Sequence, residues 1–115
     1  MRQGLYRASF YLTDPRTGLM GDEFGRGVVD IRDGSIRGGD SNYYYAGTYS
    51  LDGTKLDATI AVTPHTPRPL GLTPFERGAT LTIRGTADAV GIRCGGEIST
   101  SPGDGIQIGL TWLVE

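Results

Sequence analysis

Apolar and polar side chains change places at almost every step along this chain, and a period of two is the mark of strands with one buried and one wet face. From Gly4 to Thr13, Tyr6, Ala8, Phe10 and Leu12 fall on one face and Arg7, Ser9 and Tyr11 on the other, which predicts a first strand. Phe24 to Arg32 predicts a second. Its Gly25 and Gly27 would weaken an ordinary strand and point to a bend or a close backbone approach. Asp33-Gly34 is hairpin-turn chemistry, because both residues tolerate positive φ, and it leads into a short third strand, Ser35 to Gly39. The turn formers Gly38, Gly39, Asp40, Ser41 and Asn42 follow. Tyr43 to Leu51 then predicts a fourth strand with Tyr43, Tyr45, Tyr49 and Leu51 on one face.

Asp52-Gly53 repeats the hairpin device, after which Leu56, Ala58, Ile60 and Val62 alternate with Lys55, Asp57, Thr59 and Thr63. That is the cleanest strand in the chain. Pro64 to Pro74 holds four of the six prolines and predicts an exposed loop, since each proline removes a ladder donor. Ala79, Leu81 and Ile83, then Val90, Ile92 and Cys94, give strands six and seven. Ser99 to Gly105 is loop chemistry, and Ile106, Ile108, Leu110, Trp112 and Val114 close the chain on one apolar face. No stretch carries a helical stripe.

About eight short antiparallel strands with tight connections fit either an up-and-down barrel or a two-sheet sandwich. The barrel is preferred, because sequential hairpins make neighbours of consecutive strands and closure removes exposed edges. An eight-stranded barrel is just wide enough to be filled by its own side chains or to admit one small ligand. The fold class expected is therefore all-β, in one domain spanning residues 1–115.

Composition narrows the setting. Cys94 is the only cysteine, so an internal disulfide is impossible and a reducing, cytoplasmic home is expected. The first residues, Met1 to Arg7, carry charge where an export signal needs a long apolar run. No apolar stretch approaches the roughly 20 residues of a spanning helix, so no membrane role is expected. A net charge of −2 with both signs interleaved argues against direct nucleic-acid binding.

Candidate chemistry is sparse. His65 is the only histidine and sits among prolines, which suits an exposed loop residue better than a catalytic base. Cys94 lies on an apolar face and reads as a buried, inert thiol. Asp33, Asp52 and Asp104 each precede glycine and read as turn residues, while Asp40 and Glu97 follow Gly-Gly pairs and read as turn or strand-end residues. The glycines between Gly18 and Gly27 lack the Lys-Ser/Thr ending of a phosphate loop. No catalytic residue, metal site or cofactor is expected. Within Tyr43-Tyr44-Tyr45, alternation turns Tyr44 away from its two neighbours and leaves it available for contact.

Taken together, Gly25-Arg26-Gly27-Val28-Val29, Asp33-Gly34, Gly38-Gly39-Asp40-Ser41 and Tyr44-Tyr45-Ala46-Gly47-Thr48-Tyr49 resemble the GrlR-like family. Gly4-Leu5-Tyr6, Phe10 and the stretch from Leu56 to His65 fit the same layout, so the likeness covers most of the chain. The resemblance implies a lipocalin-like β-barrel, often a homodimer, among bacterial negative regulators of type III secretion that bind and silence a transcriptional activator. Capture in the family is associated with an acidic run after the strand that here is Tyr43 to Leu51. The equivalent stretch here, Ser50 to Lys55, holds one acid, Asp52, and one base, Lys55. Partner contact is expected in this loop, at Asp52 and Lys55, and at the outward aromatics Tyr11 and Tyr44. The alternative is a carrier of a small apolar ligand, held inside the barrel among Tyr6, Phe10, Tyr45, Ile60, Leu81, Ile92 and Trp112.

Overall fold

A computed structural model describes residues 1–14, 17, 19–66, 78–99 and 105–115. Its strands are β1 (Gly4–Thr13), β2 (Met20–Arg32), β3 (Ser35–Gly39), β4 (Tyr43–Asp52), β5 (Lys55–Pro64), β6 (Ala79–Ala87), β7 (Gly91–Ile98) and β8 (Gly105–Val114). Every neighbour pair is antiparallel, and β8 pairs back onto β1, so the sheet closes as a barrel in chain order. The turn between β2 and β3 carries Asp33 at φ 52° and Gly34 at φ 80°, the double positive φ that matches a two-residue hairpin to the twist of its strands.

Alternation decides what lies inside. Leu56, Ala58, Ile60 and Val62 are buried along β5, while Lys55, Asp57, Thr59 and Ala61 are exposed. Similar alternation runs along the other strands except at the start of β2, and among the described residues no polar or charged side chain is buried. Among the described residues, rings meet across strands within the core: Phe10 meets Tyr45 edge-on at 5.4 Å and Phe24 at 6.2 Å between centroids. Such tilted aromatic pairs add to area burial through quadrupole alignment.

The structure corrects several expectations. Leu12 and Leu51 continue the inward phase of their strands but stand exposed at the rims, past the point where a facing wall covers them, while Val114 is turned outward by a register shift that sets it opposite Leu5. Val90 lies in the turn between β6 and β7, where Asp88 accepts from the Val90 and Gly91 N–H groups at 2.8 and 2.9 Å. Those two donors hold the Asp88 carboxyl below its usual range. The second strand begins four residues early, at Met20, because two register shifts against β1 break the alternation that would have marked its start. The expected loops at Pro64 to Pro74 and Ser99 to Gly105 fall largely on residues 67–74 and 100–104, outside those described, and Pro64 itself ends β5 opposite Tyr43.

Cys94 is only 3% exposed, and burial pushes its thiol up to about 12 from an ordinary 9.0. The native state keeps this proton where the unfolded chain has lost it. The resulting stabilisation is fully present below the unfolded value and fades as pH climbs toward the folded one. Folded protein at about pH 8 should therefore resist a thiol-reactive dye that labels the urea-unfolded chain fully. The urea midpoint should fall between pH 9.0 and 12, more in wild type than in Cys94→Ala. Rapid labelling of the folded chain would contradict this account.

Candidate functional site

The barrel interior is full. The void among Phe10, Tyr45, Ile60 and Leu81 measures about 20 Å³ and its walls are apolar. That is room for about one water, in a place that offers a water no partner. Tyr6 and Ile92, at 0% and 1% exposure, pack in the same core. Trp112 is half-buried toward one end, with the Arg2 guanidinium 4.4 Å from its ring centroid and its indole N–H donating to the Gln3 carbonyl at 3.4 Å.

On the outer wall, strand register sets which side chains stand side by side. One row runs Arg7 on β1, Val28 on β2, Gly39 on β3, Tyr44 on β4 and Thr63 on β5. Consecutive valines occur at Val28 and Val29; only one can face inward, and the phase of Ile31 assigns that place to Val29. Val28 is left 43% exposed and Tyr44 48% exposed, on either side of a glycine that has no side chain to separate them. Across three strands this places them about 10 Å apart. Exposed tyrosine beside exposed aliphatic is the composition favoured at the centres of protein interfaces.

Tyr44 is held outward by the turn before it. Asp40 Oδ1 accepts from the Asn42 and Tyr43 N–H groups at 2.9 and 2.8 Å, and its Oδ2 accepts from the Tyr45 phenol. Burial, and then this hydrogen bond, push the Tyr45 phenol well above its ordinary value. The same turn is tied to the end of β5. His65 and Thr66 both donate N–H to the Asn42 carbonyl, at 2.8 and 3.2 Å, and His65 Nε2 lies 3.0 Å from the Asp40 carbonyl. His65 is thus exposed, as expected, but engaged. Gly38 and Gly39 end β3, Ser41 is exposed at the turn tip, and Glu97 is an exposed residue of β7 opposite Thr82.

The four expected partner contacts do not form one surface. Asp52 and Lys55 face one another across the β4–β5 hairpin, about 27 Å along the strand from Tyr44. Tyr11 is half-buried near the same end as Tyr44, but on β1, opposite Glu23 and Gln107. Val28 was missed, although the paired valines signal it. Among the described residues no group of three or more His, Cys, Asp or Glu could hold a metal, and no helix is long and apolar enough to cross a membrane.

No family model matches the chain, and no curated protein is similar to it at a significant level.

Proposed function

We propose that this protein is a non-enzymatic regulatory module that works by binding another protein, in the manner of the GrlR-like negative regulators whose members bind a transcriptional activator. The observation that carries this reading is the exposed Val28–Gly39–Tyr44 row on a barrel whose interior is already filled. A closed barrel with a packed core presents its chemistry on the outside, and an exposed aromatic set beside an aliphatic side chain is a recognised binding anchor. The reading includes a cytoplasmic setting, with which a lone buried thiol is consistent. Carriage of a small apolar ligand would require the interior to widen well beyond its present 20 Å³.

The test is affinity capture from cells of the source organism, followed by reconstitution of the recovered partner with purified protein. Tyr44→Ser and Val28→Ser should each weaken the rebuilt complex at least about tenfold, as loss of a central anchor does. Asp52→Ala and Lys55→Ala, at the far end, should leave it within about twofold. Retention of full affinity by Tyr44→Ser and Val28→Ser would remove the basis of the proposal.

A further inference from the structure

The wall around Val28 and Tyr44 carries a charge imbalance that the net charge of the chain, −2, conceals. The row of Arg7 and Tyr44 has Leu5, Asp30, Arg37 and Ala46 as the next outward row on one side. On the other side lie Ser9 and Arg26. Two carboxylates belong to this region, and each is already held by an arginine of its own strand. Asp30 takes Arg32 Nε at 2.8 Å and Arg32 Nη2 at 2.8 Å, and Glu23 is paired with Arg26. Those arginines hold both carboxyls below their usual range. A third carboxylate, Asp40, is turned into its turn, against two backbone N–H groups and the Tyr45 phenol.

Arg7 and Arg37 are left over. Both are exposed, and neither makes an ion pair within 4.0 Å among the described residues. Arg7 stands directly across from Val28. Arg37 stands across from Asp30, whose oxygens Arg32 occupies, and across from Ala46, two residues beyond Tyr44. Val28 thus stands between two guanidinium groups that make no ion pair among the described residues, Arg7 beside it in its own row and Arg37 one strand over in the next, with Tyr44 beyond. Each guanidinium can take a carboxylate in a two-pronged hydrogen bond.

From this juxtaposition, and resting on the protein-binding reading above, we infer that the Val28–Tyr44 face docks an acidic linear segment of the partner, with carboxylates flanking an apolar side chain. Charge complementarity of this kind sets partner choice and association rate, while the apolar side chains supply the lasting contact. An extended segment suits the site because the row crosses four strands of a curved wall. Nucleic acid also brings anionic groups, but its phosphates have no use for the apolar side chains beside the arginines.

The test is fluorescence anisotropy with the full chain and three labelled probes. One is a peptide of alternating Glu and Asp around a central Leu-Phe pair, the second has Lys in place of every acid, and the third is a short DNA duplex. The acidic peptide should bind, the lysine peptide should not, and the duplex should bind at least about tenfold more weakly. Arg7→Glu and Arg37→Glu should each weaken the acidic peptide about tenfold, with the loss concentrated in the association rate and shrinking as salt is raised. Arg84→Glu serves as control, since Arg84 already pairs with Asp57 at 3.0 Å on another wall. Equal binding of the lysine peptide or the duplex, or indifference to both arginine reversals, would overturn the inference. If Tyr44→Ser abolishes binding while the reversals do not, the docking face stands and its acidic occupant is wrong. If neither class of variant matters, the protein-binding reading falls with it.

Discussion

Gly96→Ala is expected to destabilise the barrel by about 3 kcal/mol, a large fraction of the stability of a domain this size. Gly96 lies on the inward phase of β7, between Cys94 and Ile98. A Cβ there would come within 1.9 Å of the Thr82 carbonyl oxygen, 2.8 Å of its carbon and 2.9 Å of Ile83 Cα. All three are backbone atoms of β6. No side chain can swing aside, so the two strands would have to part at a ladder position. Gly85 makes the reciprocal approach from β6, where a Cβ would lie 2.0 Å from the Arg93 carbonyl oxygen. A small barrel must coil its strands tightly, and glycine allows that coiling where an inward Cβ would strike the neighbouring strand. Gly109→Ala is the control, because a Cβ at that outward position meets nothing within 4 Å. It should change stability by no more than about 0.5 kcal/mol. Urea denaturation with an unchanged slope would measure both, and equal midpoints for Gly96→Ala and Gly109→Ala would refute the coiling argument.

Particular residues show why the fold was legible in the sequence and the site only partly so. Alternation needs no knowledge of neighbours, and from Leu56 to Val62 it assigns each side chain to the correct face. It says nothing of where the facing wall stops, which is why Leu12 and Leu51 keep the inward phase yet stand exposed at the rims, nor of the register shift that turns Val114 outward opposite Leu5. It fails outright where a bulge flips the phase, as it does twice before Gly25, so Met20 to Glu23 gave no strand signal. Tyr44 could be placed outside by parity alone. Its company could not, because Arg7, Val28, Arg37 and Tyr44 come from four strands, and only the register through the five-residue β3 sets them together. The same register separates Tyr44, an expected contact by parity, from Asp52 and Lys55, expected contacts by the family likeness.

Asp40→Ala should cost about 3 kcal/mol and should also weaken partner binding, although the carboxylate faces away from the docking row. Its removal releases two backbone N–H groups at Asn42 and Tyr43 and leaves the phenol of Tyr45, only 3% exposed, without its acceptor. A buried hydroxyl so stranded accounts for about 1 to 3 kcal/mol, and the lost turn bonds for about 1 more. Tyr45→Phe removes the donor instead. Asp40 then keeps its backbone partners and some access to water, so that change should cost only about 1 kcal/mol. The two substitutions share one interaction and should not add. The double variant is expected to be about 1 kcal/mol more stable than the sum of the singles predicts, because no phenol is then left unpaired. Strict additivity would mean that Asp40 and Tyr45 act separately. The effect on binding follows from geometry: Asp40 fixes Tyr43 at the backbone and Tyr45 at its tip, both inward, and Tyr44 lies between them. Loosening either anchor frees the strand end that presents Tyr44 beside Gly39. Asp40→Asn keeps an acceptor for the backbone N–H groups, and it should retain most of the binding that Asp40→Ala loses.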